Sequence, residues 1–301
     1  MKRKIKHTLT FAFLFLAIFK LTGQNDTAIS KKYSVTKIKP AITDPLITGT
    51  PNNPHLILYD KNTAPGKLLF WMPGTHGKAD KSPMLFFQTA LDLGYRIICL
   101  SYIDDEAVGG VCKGESLKKD PNCPYNYRMK RVYGKNVTSV IDDSPQDAIM
   151  YRLKKLLQYL VKTDKLGQWD KYLVSDSLIN WPEIAVGGQS QGGGMAAFIA
   201  QREKVARVIS FSGGWDHAPG NKIAYWYFDK SITPLDKWYA TYNVAEPNAE
   251  TIAASYKALK IPTSHIYIFS LSVRPDGKAH GEGIKNPAYK DDWIKILGSG
   301  N

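Results

Sequence analysis

The sequence predicts a single α/β domain: a mostly parallel central sheet with helices on both faces. Strand-like and helix-like segments alternate from residue 55 onward. Several strand segments are continuous apolar runs, as strands covered on both faces require. The 301 residues, 44% hydrophobic and 22% charged, contain no internal repeat, low-complexity tract or long Pro/Gly-rich linker that would divide them.

In order, strands are expected at 55–59, 67–72, 96–102, 183–188, 207–212, 238–244 and 265–270. Between the second and third lies SPMLFFQTALDLG, a helix with Ser82 as N-cap, Pro83 at its first position and Gly94 suited to a left-handed end. The longest helix opens at Ser144-Pro145-Gln146-Asp147 and sets Ile149, Leu153, Leu156, Leu157 and Leu160 on one stripe. A third begins at Gly192, a fourth near Pro247 and the last at Asp291. Strands and helices in alternation give right-handed crossovers, and ligands then bind beyond the carboxyl ends of the strands.

Residues before 55 read differently. Lys2, Arg3, Lys4 and Lys6 precede a short apolar run, LTFAFLFLAIF, which is followed by the small residues Thr22 and Gly23. That is the three-part pattern of a secretory signal peptide, 1–23, with cleavage expected between Gly23 and Gln24. The run is too short to span a bilayer, and no cysteine stands near the cleavage region for a lipid anchor. An extension, 24–54, then leads into the domain, 55–301. The expected location is the periplasm or the outside of the cell, with no stable membrane anchor after cleavage. Losing Lys2, Arg3, Lys4, Lys6 and Lys20 would reduce the formal charge from +13 to +8. The remaining cations are scattered, with no run of five like charges, which argues against a nucleic-acid partner.

Three cysteines are present. Cys99 sits in the apolar stretch YRIICLSY, where a thiol behaves as a small hydrophobe. Cys112 and Cys123 flank a polar segment and are expected to pair in an oxidising compartment, stabilising the fold by about 3 kcal/mol.

The chemistry centres on Gly188-Gln189-Ser190-Gln191-Gly192. An apolar strand runs into this G-x-S-x-G and an alanine-containing helix runs out, the setting of a nucleophile elbow. Neighbours bearing Cβ at Gly188 and Gly192 would collide with adjacent backbone. The turn offers Ser190 Oγ to a substrate and points the Gln191 N–H at a developing oxyanion. In hydrolases built on this elbow the chain order is Ser, acid, His, with the histidine after the last strand. Of the six histidines only His280, in RPDGKAHGEG, satisfies that order cleanly. The acid has two candidates, each following a strand: Glu246, preferred, and Asp216 as the alternative, with Glu250 in reserve. Asp276 is too close in sequence to His280 to orient it. The second oxyanion donor is expected from Pro73-Gly74-Thr75-His76-Gly77, through the N–H of Thr75 or His76.

Taken together, LFWMPGT, CKGESLKKDPNC, DAIMYRLKKLLQYL, IAVGGQSQGGGMAAFIA, VISFSGGWD and AHG resemble the α/β-hydrolase superfamily over residues 55–297, and more narrowly secreted or periplasmic esterase-like hydrolases. The resemblance implies the α/β-hydrolase fold, Ser190 as nucleophile, His280 as base and a carboxylate near Glu246. It departs from the usual pattern at the acid, because no aspartate is evident after the penultimate strand. An aromatic-rich insert at about 213–237 holds Trp215, Tyr225, Trp226, Tyr227 and Phe228. His76, Trp215, His217 and Trp226 are expected to line the substrate pocket. The substrate class is a small-molecule or polysaccharide ester. A peptidase or amidase, or a hydrolase-fold protein that binds a glycan without turnover, are the alternatives. No cofactor is expected: there is no H-E-x-x-H, no Walker A and no G-x-G-x-x-G between strand and helix.

Overall fold

A computed structural model describes residues 32–50, 52–274 and 277–301. The expected signal peptide and Asp276 lie outside these. Eight strands form the central sheet: β1 Ser34–Ile38, β2 His55–Tyr59, β3 Leu68–Met72, β4 Arg96–Cys99, β5 Ile184–Gln189, β6 Arg207–Phe211, β7 Trp238–Asn243 and β8 Ile266–Phe269. Their order across the sheet is β1-β2-β4-β3-β5-β6-β7-β8. β2 runs antiparallel to both neighbours and the remaining pairs are parallel. This is the α/β-hydrolase fold.

Strand β3 shows why the sheet needs two covers. Its residues are 0–1% exposed, and they alternate between two cores. Leu68, Phe70 and Met72 join one cluster, and Leu69 and Trp71 the other. On the first face lie helices α2 (Cys123–Tyr133), α3 (Ile149–Thr163), α4 (Gln191–Arg202) and α5 (Ala249–Ala258). On the second lie α1 (Met84–Asp92), α6 (Ala279–Lys285) and α7 (Lys290–Leu297). Each large apolar side chain fully buried in these layers contributes about 1.5–3 kcal/mol. The predicted stripe of α3 (Ile149, Leu153, Leu156, Leu157 and Leu160) is buried throughout.

Several local expectations change. β1, the edge strand, lies in the stretch read as an extension and pairs with β2 from Ser34↔Tyr59 to Ile38↔His55. Ser82 does not cap α1: Pro83 is the cap residue, and the Ser82 hydroxyl lies 3.0 Å from Cys99 Sγ. His280, read in a loop, stands in the first turn of α6. Cys112 and Cys123 form a disulfide with Cα atoms 5.5 Å apart. Between them runs a short helix, Gly114–Lys119. Among the described residues no helix is long and apolar enough to cross a membrane.

Candidate active site

Ser190 sits where β5 turns into α4, with φ 56° and ψ −122°. A non-glycine residue held there costs about 1–3 kcal/mol and persists only where its surroundings enforce it. The surroundings are tight. A Cβ at Gly192 would lie 2.0 Å from the Met72 carbonyl oxygen, and one at Gly188 2.3 Å from the Gly192 carbonyl carbon. On the other side the loop after β3 also comes close, since a Cβ on Gly74 would stand 3.0 Å from Ser190 Cβ. Only glycine lets strand, helix and loop converge on one serine.

The loop's N–H groups are not equivalent. That of His76 donates to the Asp104 carbonyl at 3.1 Å, so of the two expected donors it is the Thr75 N–H that is not engaged in this way. Thr75 also donates its hydroxyl to the Gln191 side-chain oxygen at 3.4 Å, and both residues line a cavity of about 280 Å³ with Ser190. α4 adds its positive end behind the Gln191 N–H.

His280 lines a second, larger cavity of about 530 Å³ together with Ser190. Its Nδ1 is 2.6 Å from Glu246 Oε2. Glu246 is fixed before it meets the imidazole: its Oε1 accepts from the Ser212 hydroxyl at 2.6 Å and from the Asn243 N–H at 2.8 Å. The carboxylate is buried, with a side chain 1% exposed against 36% for His280. Such a partner holds Nδ1 protonated and presents Nε2 as the free base. The histidine is held from two further directions. Gln189 Nε2 donates to the His280 carbonyl at 3.0 Å, and the Trp215 ring meets the imidazole edge-on at 5.4 Å. Among the described residues no hydrogen bond joins Ser190 Oγ to His280. Such bonds commonly tighten only once substrate is bound.

Asp216, the alternative acid, points elsewhere. Arg128 Nε and Nη2 donate to its two oxygens at 2.7 Å each, and Trp226 Nε1 donates at 2.9 Å. Its oxygens are turned to the guanidinium fork and the indole, and among the described residues neither is hydrogen-bonded to His280. Burial opposes the charge on Arg128, but the Asp216 carboxylate more than offsets it and holds the guanidinium above the usual arginine range.

The expected pocket residues separate. Trp215 lines the smaller cavity beside Ser190. Trp226 does not: it is buried, stacks on Tyr227 at 3.8 Å and packs against Phe198 at 5.3 Å. His217 lines a different cavity with Tyr225 and Phe228. His76 is exposed and lines neither cavity at Ser190, because the turn that gives it φ 58° carries its side chain outward. Glu250 also lies in the cavity of His217 rather than near His280.

Three contributors escaped the sequence reading. Ser212, at φ 46° just past β6, carries the hydroxyl that holds Glu246. Gln189 was visible only as a variable position of the elbow. Arg128 lies in a helix that the sequence did not reveal, and it lines the smaller cavity with Asp216.

No family model matches the chain, and no curated protein sequence matches it. Among solved structures the chain is similar to a bacterial heroin esterase, at 15% identity over 91% of this chain and 89% of that one, with a TM-score of 0.46. It is similar to the dienelactone hydrolase of Anabaena variabilis, at 13% identity over 88% and 98% of the two chains, with a TM-score of 0.44. A third is esterase B of Lactobacillus rhamnosis, at 9% identity over 95% and 93%, with a TM-score of 0.47. The chain has the α/β-hydrolase fold, with a serine at its elbow and a buried glutamate on the histidine that shares the serine's cavity.

Proposed function

We propose that the protein is an exported serine hydrolase that cleaves carboxylic esters through an acyl-enzyme on Ser190. One observation carries the reading: the elbow serine shares a cavity with a histidine whose Nδ1 is bonded at 2.6 Å to a buried carboxylate. His280 Nε2 takes the proton of Ser190 as Oγ attacks the ester carbonyl carbon. The carbonyl π-electrons move to oxygen, and the N–H groups of Gln191 and Thr75 hold that oxyanion. Collapse expels the alcohol, which receives the proton from His280. Water then repeats the sequence on the acyl-enzyme and releases the acid. Glu246 fixes the tautomer and stabilises the imidazolium throughout. Export rests on the pattern of residues 1–23. The preference for esters over amides rests on the resemblance to esterase-like hydrolases.

The test is labelling with a fluorophosphonate, read by intact mass on the protein and on Ser190→Ala and His280→Ala variants. One equivalent of label is expected on the protein, none on Ser190→Ala, and labelling slowed at least 10²-fold on His280→Ala. No label on a folded protein would sink the hydrolase reading in favour of ligand binding without turnover. Amide cleavage matching ester cleavage would make the enzyme a peptidase or amidase.

A further inference from the structure

The two cavities that meet at Ser190 have different charge. In the proposed reaction His280 delivers its proton to the leaving alcohol, so the alcohol lies on the His280 side, in the larger cavity. The acyl group is then left the smaller cavity beside Trp215. Lys78, Lys81 and Lys285 line the larger cavity, and no carboxylate does so among the described residues. Four other cavities each pair a cation with an acid: Arg128 with Asp216, Lys154 with Glu203, Lys222 with Glu250, and Lys37 and Lys61 with Asp164. A uniformly basic surface would not produce that contrast.

The three lysines come from two elements. Lys78 and Lys81 bracket the turn at Ala79–Lys81, and Lys285 ends α6, five residues after His280. All three are exposed, and none forms an ion pair among the described residues. Asp80, the acid between the first two, is turned to Lys37 at 3.5 Å. Three unpaired cations around one concave wall raise the local concentration of anions and leave each ammonium free to bind one.

Building on the catalytic reading above, we propose that the substrate is an ester whose alcohol portion is negatively charged, such as a carboxylate-bearing alcohol or an acidic sugar, held by Lys78, Lys81 and Lys285. The acetyl esters 4-acetoxy-3-nitrobenzoate and 4-acetoxy-3-nitrobenzamide test this. They differ in one charge on the alcohol, and each rate is divided by that for hydroxide alone to remove leaving-group chemistry. The ratio of kcat/KM, anionic over neutral, is expected to be about tenfold in the wild-type protein, which corresponds to 1.4 kcal/mol. It should fall toward one in the Lys78→Ala/Lys81→Ala/Lys285→Ala variant and in about 0.5 M salt, and recover in the corresponding triple arginine variant. A ratio of one in the wild type, or a tenfold ratio that survives the triple alanine change, overturns the proposal and leaves the catalytic reading intact. Turnover of neither ester together with no labelling of Ser190 overturns the catalytic reading, and this one with it.

Discussion

Glu246 and Asp216 are both buried carboxylates standing just past the ends of adjacent strands, β7 and β6. Their chemistry nevertheless differs, because their partners do. Glu246 is held by two neutral donors, the Ser212 hydroxyl and the Asn243 N–H, and keeps one oxygen for the His280 imidazole. Asp216 gives both oxygens to a permanently charged arginine, and the pair closes on itself. A third carboxylate, Asp104, follows β4 and is 2% exposed, with no hydrogen-bond partner on its Oδ2. Burial past a strand end thus does not by itself prepare a carboxylate for a histidine. What prepares Glu246 is that neutral donors hold it while leaving one oxygen for the imidazole.

The sharpest way to break the comparison is Glu246→Gln. The amide can still accept from Ser212 and Asn243, so the fold should persist. The amide nitrogen facing Nδ1 selects the wrong imidazole tautomer, and kcat should fall about 10³–10⁴-fold. A loss below tenfold, measured on a substrate that the wild type turns over, would remove Glu246 from the machinery. Asp216→Asn should act on folding instead. It leaves the Arg128 guanidinium buried without its counter-ion and should cost about 3–5 kcal/mol in denaturant unfolding. The double change Arg128→Met/Asp216→Leu should recover much of that loss, because removing both charges also removes their desolvation cost. If Asp216→Asn unfolds like the wild type, the pair is not what holds this wall of the cavity.

Which parts of this were legible follows from how each element is buried. Strands β3, β5 and β6 are covered on both faces, so each carries a short apolar run (LLFWM, IAV and VI) that stands out in sequence. The elbow was legible because its glycines are sterically required. β1 was not: only Ile38 of SVTKI is buried, so an edge strand looks like polar linker. α2 was hidden for the opposite reason. Its buried face holds Arg128, Lys130 and Arg131, whose charges are satisfied outside the helix by Asp216, the Ile141 carbonyl and Asp143, and no apolar stripe marks the helix. α6 was obscured by two glycines in AHGEGIK and by a buried Glu282 that bonds Arg274 and Asn286. The acid remained ambiguous because nothing local separates AEP from GWD. The arginine that engages Asp216 lies 88 positions away.

Asp104 sharpens the comparison most finely, since neither a histidine nor a guanidinium fork has claimed it. Burial, reinforced by the like charge of Asp105 and only partly opposed by the Gly77 backbone N–H and by Arg131, pushes its carboxyl up to about 7. Its backbone carbonyl meanwhile accepts the His76 N–H of the loop after β3. In the unfolded chain an aspartate ionises near 4. The folded state therefore binds the extra proton between these values. The stability that Asp104 contributes is complete below about pH 4 and is lost as pH rises to about 7. Asp104→Asn removes the titration while keeping the shape. Between pH 4 and pH 8 the wild type should lose on the order of 2–4 kcal/mol relative to this variant, read from urea midpoints at each pH. Parallel stability curves would mean that water or a neighbouring donor reaches Asp104, and that it belongs with Glu246 among the solvated-by-protein carboxylates. A diverging pair would establish that burial holds a proton on the carboxyl beside the loop after β3.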